Sequence, residues 1–193
     1  MPLNLSKGEG ISLNKVAPSI QRARVCLGWE ENIGGQDFDL DASAFLLAPN
    51  GRVKSDQYVV FYNQLATPER SVVHSGDDLT GGGGGDCEIL TVELTQVPQD
   101  VDRIVFTVTI HNAEQRRQTF GQVSDAYIRL VDDDSGVEVL RYDLATQATQ
   151  ATAMSFAELR RDTRNSSWQF SAIGEPRDGG LMGLCQAFGV NVN

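Results

Sequence analysis

At 193 residues the chain suits one domain, expected to span 1–193, and can bury a substantial core. Its 40% hydrophobic and 22% charged content is that of a globular protein, and a formal net charge of -10 disfavours nucleic acids as partners and favours cations. Three separated cysteines (Cys26, Cys87, Cys185) and two histidines (His74, His111) form neither a disulfide framework nor a zinc pattern.

The opening "MPLNLSKGEG" has no basic segment followed by an apolar stretch, and no run approaches the ~18 apolar residues of a spanning helix. The expectation is a reduced, soluble, cytoplasmic protein. Short runs rich in aromatic and β-branched residues then predict strands at 24–30, 40–48, 57–63, 87–94, 102–112 and 126–132, separated by turn clusters such as "APNG" and "DDDSG". In "RIVFTVTIH", Ile104, Phe106, Val108 and Ile110 alternate with Val105, Thr107 and Thr109, the pattern of a central sandwich strand. Residues 154–174 read as a hairpin rather than a helix and a strand, because "NSS" separates two runs of similar length. Near the end, Leu181, Leu184, Cys185 and Phe188 fall at helical spacing, with Asp178 as a candidate N-cap. Trp29 and Trp168 read as core aromatics, and His111, ending an apolar strand, as a core histidine. Together these elements predict a mainly β fold, a two-sheet antiparallel β-sandwich with a short C-terminal helix.

Two acidic blocks interrupt this pattern. In "GGQDFDLDAS", Asp37, Asp39 and Asp41 alternate, so an extended backbone would line three carboxylates on one face within about 13 Å of chain. In "GDDLTGGGGGDCE", five glycines lie between Asp77 and Asp78 on one side and Asp86 and Glu88 on the other. Neither block contains lysine or arginine. Like charges brought together need a cation, and an all-oxygen set with a pliant glycine loop suits calcium better than strictly octahedral magnesium. An EF-hand beginning at Asp37 fails, since Ala42 and Ala48 stand where glycine and glutamate are needed. A phosphate loop fails too, because Asp86 follows the glycines where lysine would be required. Asn63 in "FYNQ" is a further candidate oxygen donor, or simply a turn residue. Cys87, among carboxylates, reads as an idle thiol rather than a ligand.

The blocks "LGWEENIGGQDFDLDASAFLL", "HSGDDLTGGGGGDCE", "VTIHNAEQRRQTFGQV" and "GGLMGLCQAFGVNV" resemble the TerD family of bacterial tellurium-resistance and stress-response proteins. The resemblance runs nearly end to end. It implies a β-sandwich that holds calcium, commonly two ions, through loops at one edge, with Asp37, Asp39, Asp41, Asp77, Asp86 and Glu88 in matching acidic positions. The chain departs from the family pattern at Asp78, which adds a charge, and at Cys87 and Asn112, which each lack one. It also implies partners from the same resistance system, including a membrane protein. The resulting expectation is a calcium-binding interaction module and not an enzyme. The alternatives are a metal-dependent hydrolase using the same acids and a thiol-based binder of tellurium oxyanions, the latter opposed by the negative loop.

Overall fold

The computed structural model describes residues 2–30, 37–76, 86–144, 150–164 and 167–191. In chain order these form β1 (Leu3–Asn4), β2 (Gly10–Ser12), α1 (Leu13–Val16), β3 (Arg22–Gly28), β4 (Leu40–Leu47) and β5 (Val59–Val60). There follow β6 (Val72–His74), β7 (Glu88–Glu93), β8 (Arg103–Ile110), α2 (Ala113–Arg116), β9 (Tyr127–Asp132) and β10 (Glu138–Asp143). The chain then adds β11 (Ala153–Asp162), β12 (Ser167–Arg177) and α3 (Gly180–Phe188).

Two six-stranded sheets face each other, in the orders β1-β10-β9-β3-β7-β6 and β2-β12-β11-β8-β4-β5. Every pairing is antiparallel except β1 with β10, which is parallel. Alternation decides the faces. Ile104, Phe106, Val108 and Ile110 of β8 join Leu40, Ala42, Ala44 and Leu46 of β4 in the main core, with Val25, Leu27, Leu90, Val92, Ile128 and Leu130 opposite. The other face of β4 and β8 carries Phe45, Leu47 and Val105, which Leu184, Cys185 and Phe188 of α3 cover as a smaller second cluster. Hence β4 is buried along its whole length. The four edge strands have only two or three residues each, which leaves little unpaired backbone to recruit another chain.

The sandwich, the 154–174 hairpin and the terminal helix agree with the sequence, as do the buried Trp29 and Trp168. Four expectations are corrected. The strand predicted over 57–63 is a 3-10 turn, Asp56–Tyr58, followed by only Val59–Val60, because Gln64 folds back to donate to the Asp56 and Val59 carbonyls. The α3 N-cap is Gly179, in a left-handed conformation (φ 79°), rather than Asp178. His111 is not a core histidine, since its side chain is 39% exposed. Asp37 does not share a strand face with Asp39 and Asp41, because β4 begins at Leu40 and Asp37 is exposed.

Candidate metal centre

The strand ends that matter gather at one end of the sandwich. There β3 ends at Gly28, opposite Tyr127, while Leu27 lies opposite Glu88, the first residue of β7. In the other sheet β4 begins at Leu40, opposite Ile110 at the end of β8. Gly28 and Leu40, the ends of the connection between the two sheets, and Glu88, the start of β7, therefore stand at the same end. Asp77, Asp78 and the glycine run 81–85 lie outside the described residues.

Local contacts fix the first acidic block. Buried Trp29 donates its indole N–H to the Phe38 carbonyl at 3.2 Å. The Gln118 amide donates to the Asp37 carbonyl at 3.0 Å, and the His111 N–H to that of Asp39 at 2.8 Å. Asp39 and Asp41 are each only 5% exposed, and Asp41, between core-facing Leu40 and Ala42, lies on the outer face of β4 beside His111 and the start of α3. Arg116 Nη2 lies 3.9 Å from Asp39 Oδ2, and His111 Nδ1 lies 3.6 Å from Asp41 Oδ2. Tyr62 meets the His111 ring edge-on at 6.3 Å. Asn63, beside it, is exposed in the turn between Phe61 and Gln64.

Glu88 is wholly buried and takes the core side of β7 with Leu90 and Val92. Its carboxylate crosses to the opposite sheet and accepts the Ala42 N–H. His74 Nε2 donates to the Ala42 carbonyl at 3.2 Å and lies 3.6 Å from Glu88 Oε2. The Gly76 N–H donates to His74 Nδ1 at 3.0 Å, which places the ring hydrogen on Nε2. The reason for this arrangement is a short edge. Because β5 pairs with β4 only at Ala44 and Phe45, Ala42 presents open backbone, and two side chains from the facing sheet complete it.

Asp86 goes elsewhere. A bend at Cys87 separates it from β7, and its carboxylate receives Arg129 Nε at 2.8 Å and Nη2 at 2.7 Å. The Tyr127 hydroxyl donates to it at 3.4 Å, and Arg129 Nη1 continues to Glu138 at 2.8 Å. Burial works against ionising Asp86, but the Arg129 guanidinium outweighs it and holds the carboxyl below its ordinary range. Beneath this pair lies Cys26, fully buried; burial first, and then the Asp86 carboxylate, push its thiol up to about 12. Cys87 is half-buried against the core. A thiol so buried and so reluctant to ionise is a poor nucleophile, which weighs against oxyanion chemistry at Cys26.

Among the described residues, no three His, Cys, Asp or Glu side chains stand close enough to hold one ion. What the described residues do assemble is an end of the sandwich where Asp39, Asp41 and Glu88 are withdrawn from water, Asp41 on the outer face of β4 and Glu88 between the sheets. Carboxylate oxygens of this kind are the donors that hard cations take. Sequence reasoning missed Arg116, Arg129 and His74 as participants. Only His74 lay within reach of a sequence signal, two residues before Gly76 in the acidic block.

Fold and site together define a β-sandwich with one acidic end. Residues 1–188 match the TerD domain, and the chain belongs to the TerD family. It is 52% identical to tellurium resistance protein TerD of Serratia marcescens, over all of both chains. Identity to general stress protein 16U of Bacillus subtilis (strain 168) is 46%, again over all of both. The fold matches that of a homologue of telluride resistance protein (TerD) from Streptomyces coelicolor A3(2), with a TM-score of 0.67, 24% identity, and coverage of 85% of this chain and 94% of that one. Membership places the protein among tellurium-resistance and stress-response proteins. Among the described residues no helix is long and apolar enough to cross a membrane.

Proposed function

We propose that the protein is a calcium-binding interaction module of a bacterial tellurite-resistance or stress-response system, acting by binding rather than catalysis. The observation that carries this reading is the burial of Asp39, Asp41 and Glu88 at one end of the fold. Carboxylates leave water at a cost of several kcal/mol each unless positive charge meets them. Arg116 stands 3.9 Å from Asp39 and His111 3.6 Å from Asp41, and a divalent ion would add charge to several carboxylates at once. Asp37, Asp39, Asp41, Asp77, Asp78 and Glu88 would hold calcium, commonly two ions, with Asp41 and Glu88, which stand on opposite faces of β4, serving different ions. Bound calcium supplies the positive charge that lets this end of the sandwich order. A site that changes on binding gives a surface that a partner can sense, and the family resemblance suggests another protein of the same resistance system, such as a membrane protein.

The test is thermal unfolding of metal-stripped protein with calcium, with magnesium, and with neither. A ligand at a hundred times its Kd adds about 2.7 kcal/mol of stability, roughly 5–10 °C in Tm for a domain of this size. Calcium is expected to give that rise, magnesium much less, and Asp39→Asn with Asp41→Asn to abolish it. An unchanged Tm in millimolar calcium would sink the proposal.

A further inference from the structure

Asp86 and Glu88 are two residues apart in sequence, yet they reach opposite faces of their sheet. Glu88 points into the sandwich, where it accepts the Ala42 N–H. Asp86 lies on the outer face, over Cys26 of β3, clasped by Arg129 of β9. Cys26 sits between Ile89 of β7 and Arg129 of β9 in the strand register, so the ion pair spans β3 from one neighbour to the other. Through Arg129 Nη1 and Glu138 the tie continues to β10. The backbone beside it is anchored as well, with the Cys87 N–H donating to the Leu27 carbonyl at 2.8 Å and the Ser75 N–H to that of Ile89 at 2.9 Å. Asp86 stands two residues before β7 begins at Glu88, so this clasp fixes the approach to that strand.

We propose that Asp86 is a positioning residue, not a calcium ligand: with Arg129 it forms a latch across the outer face of β7, β3 and β9 that holds the C-terminal stem of the acidic segment so that Glu88 faces inward. Three observations support this. Both carboxylate oxygens of Asp86 already receive the guanidinium in a fork geometry, the strongest pairing a carboxylate makes with a side chain. The sheet itself stands between Asp86 and Glu88, so one ion cannot take both. Arg129 is held on its other side by Glu138, so it is oriented whether or not Asp86 is present. The inference rests on the calcium reading for its purpose, though the latch itself does not need calcium to exist.

Four variants test it: Asp86→Asn, Arg129→Met, the double variant, and Arg129→Lys. The first readout is alkylation of Cys26 by iodoacetamide in metal-free protein, followed peptide by peptide, with Cys185, on the buried face of α3, as the internal control that the fold is intact. Changed electrostatics alone would move Cys26 in opposite directions, because loss of Asp86 eases thiol ionisation and loss of Arg129 hinders it. An opened latch speeds both, and at least a tenfold rise is expected in each single variant while Cys185 stays slow. The second readout is calcium affinity by calorimetry. Each single variant is expected to weaken it about tenfold, the double variant to be no worse than the weaker single, and Arg129→Lys, which keeps the charge but loses the fork, to recover part of it. If Arg129→Met instead tightens calcium while Asp86→Asn weakens it, Asp86 is a ligand that Arg129 competes for, and the proposal fails. If the wild type takes up no calcium, the calcium reading falls on its own. Cys26 alkylation then still decides the latch, and unchanged or opposite rates in the two single variants overturn it.

Discussion

Glu88→Ala is expected to cost about 2–4 kcal/mol in urea unfolding of the metal-free protein, among the largest effects of any polar substitution in the chain. Glu88 has no exposed surface, and its carboxylate is the acceptor for the Ala42 N–H at a stretch of β4 that β5 does not cover. Truncation leaves that buried donor unmet and opens a void between the sheets. Glu88→Gln separates structure from charge. Its amide oxygen can still accept from Ala42, so metal-free stability should stay within about 1 kcal/mol of the wild type, while stabilisation by calcium should be lost. If the alanine variant is as stable as the wild type, the tie between the sheets does not hold this end together.

Trp29→Ala should be at least as damaging, at about 3–5 kcal/mol, the usual cost of emptying a buried Trp site. Trp29 is 3% exposed and packs in the main core where the chain leaves β3 for β4. Its indole N–H also fastens the Phe38 carbonyl, between Asp37 and Asp39. Trp29→Phe keeps most of the apolar contact and loses the hydrogen bond, which predicts a loss nearer 1 kcal/mol. Both are measured by urea unfolding with the slope checked for constancy. Equal losses in the two variants would mean that the ring packing is irrelevant and only the hydrogen bond counts.

Much of the fold was legible because it rests on alternation and spacing. The apolar positions of β8 fall on the core face as the pattern requires, and the β11–β12 hairpin and α3 follow from local runs. The edge strands were not legible. β1, β2, β5 and β6 have two or three residues apiece and exist because longer neighbours offer them hydrogen bonds, which no local pattern records. The aromatic run 57–63 misled for the same reason, since propensity favours a strand while the Gln64 side chain closes a turn.

At the acidic end, the residue types were legible and their pairing was not. The absence of lysine and arginine from both blocks suggested carboxylates without counter-ions, but Arg129 reaches Asp86 from 43 positions away and Arg116 approaches Asp39 across 77. The direction of each acid was equally hidden. A bend at Cys87 sends neighbouring acids to opposite faces, and the start of β4 at Leu40 separates exposed Asp37 from buried Asp39. Spacing of two implies a shared face only where the backbone is extended throughout.

The central claim is that buried acids at one end of this sandwich bind calcium. The most direct measurement is calorimetric titration of metal-stripped protein with calcium, with Asp39→Ala beside it. Uptake of about two ions at micromolar affinity, lost in the variant and little competed by magnesium, is the predicted result. Absence of binding at millimolar calcium would contradict the account and leave the burial of Asp39, Asp41 and Glu88 to be explained by protein contacts alone.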